Sequence, residues 1–244
     1  MKNKKNSIIN RIRRKLARLI SRQTQIETYF NVPFRFYNAQ AYSVNERIIE
    51  VPFVFSELKA DEKRLKILDF GCTNSWLPIS LASMGHDVFG VDLRDYPFEH
   101  PNLVFKKQNI LTLDETGFDV IIAVSSLEHV GLKAYGAEYE PEALDKIISK
   151  LYGLLAAKGK LILTVPVGDS FEDDFMRSFA AEEIENLIAA HSFSLEKSCY
   201  FQRINYNQWL PCAREKIGAV SNRFDKKMKN HCGVNGIGCL VFRK

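Results

Sequence analysis

Lys66-Ile67-Leu68-Asp69-Phe70-Gly71-Cys72-Thr73-Asn74-Ser75-Trp76, followed by Val88-Phe89-Gly90-Val91-Asp92, is the stretch whose reading decides the fold. An apolar run ending in a glycine turn, then a helical pattern, then a second apolar run ending in an acid reads as strand, tight turn, helix and strand. That is half of a nucleotide-binding sheet. At Gly71 the missing Cβ lets a ligand approach the backbone, and Asn74 or Ser75 is placed to cap the helix that follows. Pro78 falls in the first helical turn, where a missing N–H costs little. Asp92 ends the second strand on the same rim, where a carboxylate can accept hydrogen bonds from both hydroxyls of a ribose. Gly71 and Asp92 are 21 positions apart, the separation such a unit needs.

Two ligand classes share this geometry, nicotinamide dinucleotides and S-adenosylmethionine. A dinucleotide site wants G-x-G-x-x-G, because the pyrophosphate lies against the backbone at the helix N-terminus. Here Thr73 and Trp76 occupy the second and third glycine positions, and a tryptophan at the close helix–strand contact disfavours a pyrophosphate. A strand-to-helix glycine also occurs for purely structural reasons, so the rest of the chain has to carry the choice.

Outward from the stretch the alternation is regular. Trp76 to Met84 reads as the first helix, and Leu103-Val104-Phe105 as a third strand leading to Gln108-Asn109-Ile110. Phe118 to Val124 is nearly all apolar, as expected of a central parallel strand covered on both faces. Pro141 opens a helix whose Leu144, Ile147, Ile148, Leu151, Leu154 and Leu155 form one stripe stopped by Gly159. Leu161 to Val165 is the next strand, and a further helix is expected with Ser178 as its cap and Glu182 and Glu183 in its first turn. Phe193 to Tyr200 and Gly236 to Phe242 read as strands that pair antiparallel, with an insertion at 202–235 between them. That insertion holds Asn205-Tyr206-Asn207-Gln208-Trp209 and a basic, helix-like part from Arg214 to Lys229, and insertions of this size are commonly functional.

Upstream, the composition changes. Residues 1–22 carry nine basic side chains and no acid, so the net charge of +5 leaves the other 222 residues at −4. Ile8, Ile9, Ile12, Leu16, Leu19 and Ile20 recur there at helical spacing opposite the basic face. Such a helix, assigned to 1–27, suits an anionic membrane surface through residues 8–20, an RNA, a partner, or a berth on its own domain. Arg and Lys interrupt every candidate apolar core of a signal peptide, and no apolar run approaches the roughly 20 residues that span a bilayer. Residues 28–64 are rich in aromatics and read as a cover over the cofactor cleft or sheet edge, before a main domain at 65–244. Five cysteines without a C-x-x-C pair point to a reducing, cytoplasmic setting. His231-Cys232 with Cys212 lacks a recognised metal spacing, so no metal is expected.

Leu68-Asp69-Phe70-Gly71-Cys72, Asp92, Asn109-Ile110, Phe118-Asp119-Val120-Ile121, Glu128-His129 and Leu154 to Pro166 occur in the order and spacing of the class I S-adenosylmethionine-dependent methyltransferases. The resemblance covers about residues 60 to 200 and, through the last strand, the C-terminus. More narrowly, Asn45-Glu46-Arg47, Leu77-Pro78, Tyr96 to Asn102 and Glu128-His129-Val130-Gly131-Leu132-x-x-Tyr135-Gly136 resemble bacterial members often associated with polysaccharide biosynthesis. The fold implied is α/β, a Rossmann-like, doubly wound and mostly parallel seven-stranded sheet with an antiparallel C-terminal strand. By resemblance, Asp69, Phe70, Gly71 and Cys72 surround the methionine part of S-adenosylmethionine, Asp92 takes the ribose and Leu93 the adenine. Asn109 and Ile110 present a polar side chain and a backbone N–H to the adenine edge, and Ser125 completes the set. Thr73 stands where many members have a second glycine.

Ser125-Ser126-Leu127-Glu128-His129 ends the central strand and so faces the cleft. Methyl transfer to a hydroxyl needs a nucleophile held close to the methyl carbon and a group to accept its proton. His129 has an ordinary pKa of about 6.5 and is the candidate base, with Glu128 to orient it or bind substrate. The same pair can also simply brace loops. Tyr135, Glu138, Tyr139 and, from the insertion, Trp209 are candidate substrate contacts. Three readings follow: an O-methyltransferase acting on a sugar, glycan intermediate or other small molecule, held near a membrane by its basic helix; an RNA methyltransferase; and a non-catalytic scaffold of the same fold. The acidic body and the lack of a second basic stripe with interleaved aromatics disfavour nucleic acid.

Overall fold

The computed structural model describes residues 45–58, 64–73, 75–205, 208–222 and 233–244. The basic helix expected at 1–27, the aromatic stretch up to 44, Asn74, and the pair His231-Cys232 lie outside the described residues.

Strand β1 (Lys66–Phe70) pairs in parallel with β2 (Asp87–Asp92) on one side and β4 (Phe118–Val124) on the other. Its register sets Phe70 beside Val91, so the Gly71 turn and Asp92 finish on one rim. β3 (Leu103–Lys107) lies beyond β2, and β5 (Leu155–Pro166) pairs in parallel with β4. β10 (Gly236–Arg243) runs antiparallel between β5 and β8 (Ser194–Asn205), and β9 (Gln208–Cys212) folds back on β8. The order is β3-β2-β1-β4-β5-β10-β8-β9. This is the mostly parallel, Rossmann-like sheet the sequence implies, with its antiparallel last strand, but it has eight strands, not seven. The extra strand is β9, which the reading of 202–235 as an insertion had hidden.

The sheet is covered on both faces, and alternate residues of each strand go to opposite sides. Leu68, Ile121, Leu161 and Leu163 pack under α3 (Ala143–Leu154) and α4 (Ala181–Ala189). Ile67, Val120, Ile122 and Ile162 face α1 (Arg47–Glu57) and α2 (Leu77–Ser83), through Phe53, Val54, Leu77 and Leu81. Helix α1, within the segment read as a cover, therefore shares a core with the sheet.

Local chemistry explains most element ends. Leu77 donates its N–H to Ser75 Oγ at 3.1 Å, and Pro78 sits in the first turn of α2 as expected. Two boundaries differ. Helix α3 stops at Leu154 and the chain passes directly into β5, so Gly159 lies inside a strand, next to Lys158 at φ 64° and an irregularity in pairing with β4. Ser178 does not cap α4: it belongs to β7 (Arg177–Ser178), and its Oγ accepts from Asn222 Nδ2 at 2.7 Å. The Ala180 N–H instead donates to Glu183 at 3.0 Å. β7 pairs with β6 (Phe171–Glu172) in a small hairpin after β5 that the sequence reading did not contain. The helix expected from Arg214 begins as α5 (Arg214–Ile217), and residues 223–230 lie outside the described set. Among the described residues no helix is long and apolar enough to cross a membrane.

Candidate active site at the carboxyl rim of the sheet

Gly71 turns out of β1 at φ 75°, a conformation that favours glycine, and a Cβ there would collide with Ser126 Oγ. Its N–H donates to the Val91 carbonyl at 2.9 Å, tying the turn to β2. Ser126 Oγ lies 3.1 Å from the Phe70 carbonyl, fixing the turn from the β4 side. Cys72 is buried, and burial pushes its thiol well above the usual range, so it is an inert wall. Asp69 is buried with Oδ2 lacking any partner among the described residues. Burial raises its carboxyl to about 8, with Arg47 opposing and Asp92 adding to the rise.

Asp92 is mostly buried but well served: Oδ2 accepts the Thr73 N–H and Oδ1 the Arg94 N–H, both at 2.9 Å. Burial raises its pKa, and these hydrogen bonds outweigh it, holding Asp92 below the usual carboxylate range. Leu93 beside it is 63% exposed, a bare apolar side chain on the rim. Asn109 caps the turn Ile110–Thr112 by accepting the Leu111 N–H at 3.0 Å, while Ile110 is buried beneath.

Across the rim, Ser125 leaves β4 at φ 43°. Its hydroxyl donates to Glu50 Oε1 at 2.6 Å, and Thr164 at the end of β5 donates to the same oxygen at 2.7 Å. Glu50 comes from α1, is fully buried, and takes Arg47 Nη1 on its other oxygen at 2.7 Å. Ser125 is thus part of a tie between α1, β4 and β5.

The turn Leu127–His129 follows. Glu128 is buried, with Oε1 3.9 Å from His129 Nε2 and Oε2 unpartnered among the described residues. Burial raises it to about 8, leaving it mostly neutral at pH 7. The imidazole is oriented from elsewhere: Nδ1 lies 2.7 Å from the Phe175 carbonyl, which fixes the proton on Nδ1 and leaves the Nε2 lone pair free to accept. Burial lowers the His129 pKa, the Phe175 bond opposes this, and the charges of Arg94, Arg47 and Arg177 lower it further, so the ring is neutral at pH 7. Its centroid is 4.7 Å from that of Phe175 and 5.2 Å from that of Tyr135. The Arg94 guanidinium lies 4.3 Å over the Tyr135 ring, and Tyr135 itself holds φ 55°. Glu138 and Tyr139 are exposed further along this loop. Trp209 is not in this ring group; it is buried on β9 in the apolar layer with Met176 and Val234.

Sequence reasoning missed Glu50, Arg94, Phe175 and Arg177. Only Glu50 carried a signal, as an acid inside the apolar run Ile48-Ile49-Glu50-Val51-Pro52-Phe53. No group of three His, Cys, Asp or Glu suited to a metal occurs among the described residues.

The rim fits S-adenosylmethionine: a buried carboxyl oxygen without a partner among the described residues, a glycine turn at positive φ, and an acid at the end of β2. The methyltransferase domain family matches residues 37–212. No curated protein matches the sequence. Among solved structures, a 1,6-didemethyltoxoflavin-N1-methyltransferase from Burkholderia thailandensis with bound S-adenosylhomocysteine is 17% identical, with 94% of this chain and 89% of that chain covered and a TM-score of 0.51. Magnesium protoporphyrin IX methyltransferase from Synechocystis is 15% identical over 82% and 83% of the two chains, at TM-score 0.51. The [4+2]-cyclase SpnF, 14% identical over 85% and 84% at TM-score 0.55, shows that the same fold also hosts other chemistry. These structures share the fold, and the family match, over most of the chain and across the whole rim from Asp69 to His129, carries the identity: this protein belongs to the methyltransferase domain family and is an enzyme that uses S-adenosylmethionine.

Proposed function

We propose that the protein methylates a hydroxyl oxygen of a small acceptor, a sugar or a sugar-containing intermediate of bacterial polysaccharide assembly. The observation that carries this reading is His129, neutral, pinned through Nδ1 to the Phe175 carbonyl and free at Nε2 beside the end of β4. A fixed neutral imidazole is what a hydroxyl needs to lose its proton as its oxygen is methylated. S-adenosylmethionine supplies the activated methyl group. Asp69 and the Gly71 turn hold its methionine part, Asp92 the ribose, Leu93 the adenine face, and Asn109 and Ile110 the adenine edge. Glu128, protonated near pH 7, offers a hydrogen bond to a second hydroxyl, and the rings of Tyr135 and Phe175 give a sugar an apolar wall. The two solved methyltransferases are named for small-molecule acceptors, which supports the class. The resemblance of residues 128–136 to polysaccharide-associated proteins supports the sugar, and the basic stretch at 8–20 would keep the enzyme near membrane-borne intermediates on the cytoplasmic side.

His129→Ala is expected to lower turnover by roughly 10²–10⁴-fold, the usual worth of a positioned base, while S-adenosylhomocysteine affinity stays nearly constant. At saturating methyl donor, the part of the wild-type pH profile owed to His129 is expected to fall on acidification only below the ordinary histidine range, because the lowered imidazole gains its proton there. Undiminished turnover by the variant, measured with radiolabelled methyl donor, would end the proposal.

A further inference from the structure

Arg177 is 8% exposed on β7, and its Nε donates to Glu172 at 3.1 Å. Its Nη1 is buried with no partner among the described residues. A guanidinium keeps its charge in any protein environment and has five donors in a rigid fork, so a buried unmet nitrogen is a standing cost that a ligand oxygen would relieve. The place is specific. The hairpin that carries Arg177 also supplies the Phe175 carbonyl that holds His129, and β7 packs against the turn Leu127–His129. On that turn Glu128 Oε2 is a second buried atom without a partner. Arg94 borders the same ring group through Tyr135, and its Nε makes a long 3.4 Å contact with Asp92.

We propose that Arg177, with Arg94 on the Tyr135 side of the ring group, binds an oxyanion of the acceptor, a carboxylate or a phosphate, so that the substrate is an acidic sugar. This rests on reading the site as a sugar O-methyltransferase. Glu172 and Asp92 each meet one arginine side chain through its Nε alone, Glu50 is tied to Arg47, Ser125 and Thr164, and the Glu128 carboxyl is mostly neutral at pH 7. A planar fork with one edge engaged by Glu172 still presents an edge to a carboxylate or phosphate, which a neutral hydroxyl would match poorly.

The test is calorimetric titration of the full chain, loaded with S-adenosylhomocysteine, with glucuronate, glucose 1-phosphate and glucose. At least one anionic probe is expected to bind tenfold or more tightly than glucose, and which one does so separates carboxylate from phosphate. Arg177→Gln should cut that advantage tenfold or more with S-adenosylhomocysteine affinity retained. Glu172→Gln, at a side chain 45% exposed, removes the competing carboxylate and should tighten the anionic probe, an outcome that a purely structural Arg177 would not give. Equal binding of charged and neutral probes, or an unchanged ranking in both variants, overturns the proposal. Either result leaves O-methylation of a neutral sugar standing, because that reading fails on His129→Ala.

Discussion

Asp69 holds a proton at neutral pH because burial outweighs the pull of the Arg47 charge. With its carboxyl raised to about 8 by burial, pairing with the ammonium of a methionine moiety requires ionisation, so binding is linked to proton release. The sign is fixed: the free form carries the proton below about 8 and the bound form does not, so S-adenosylhomocysteine affinity rises with pH up to about 8 and levels above it. Calorimetry at pH 7 in buffers of different ionisation enthalpy should detect proton release on ligand binding, and none from this group in Asp69→Asn. Equal release from both proteins would remove Asp69 from the methionine site. The positions of Asp69, Gly71 and Asp92 were legible in the sequence, because strand ends and a positive-φ turn each favour particular residue types. Their charge states were not, since these depend on burial created by segments far away in the chain. For the same reason the sequence offered Glu128 as the partner that orients His129, whereas the backbone of Phe175, whose side chain is irrelevant to that bond, does so.

Helix α1 lies in the segment that the sequence marks as an aromatic cover, and its purpose was not legible there. Glu50 ties it to the ends of β4 and β5 through Ser125 and Thr164 while Arg47 neutralises it. Glu50→Ala leaves two hydroxyls and a half-exposed guanidinium without their common acceptor, and a loss of about 1–3 kcal/mol is expected, the range for leaving buried polar groups unsatisfied. Glu50→Gln, which keeps an acceptor for the hydroxyls, should cost less. Denaturant unfolding of the two variants measures both, and a loss under about 1 kcal/mol for the alanine would show that α1 is held by Phe53 and Val54 alone. The β6–β7 hairpin was illegible because strands of two residues have no period to read. Its local cue is Asp173, whose Oδ1 accepts the N–H groups of Phe175 and Met176 at 2.8 Å and folds the turn that brings the Phe175 carbonyl to His129.

Across the whole molecule the alternation of apolar runs and helical stripes specified the doubly wound order through β5, and the absence of a crossover helix before the last strand specified its antiparallel return. The eighth strand escaped because β9 buries one side chain, Trp209, and contains Pro211, a residue that edge strands tolerate and central strands do not. Site and sheet are joined at one rim, and there the free protein keeps Asp69 Oδ2, Glu128 Oε2 and Arg177 Nη1 buried without partners among the described residues. A ligand that meets even one of them binds the folded chain and not the unfolded one. At about a hundredfold excess over its dissociation constant it should stabilise the fold by about 2.7 kcal/mol and slow proteolysis through global opening roughly a hundredfold. A thermal melt and a timed protease digest with and without S-adenosylhomocysteine check this, and Asp69→Asn should show a smaller gain. The unmatched atoms of the rim therefore bear on lifetime as well as on specificity: the chain that holds its methyl donor is expected to outlast the empty one in the protease digest.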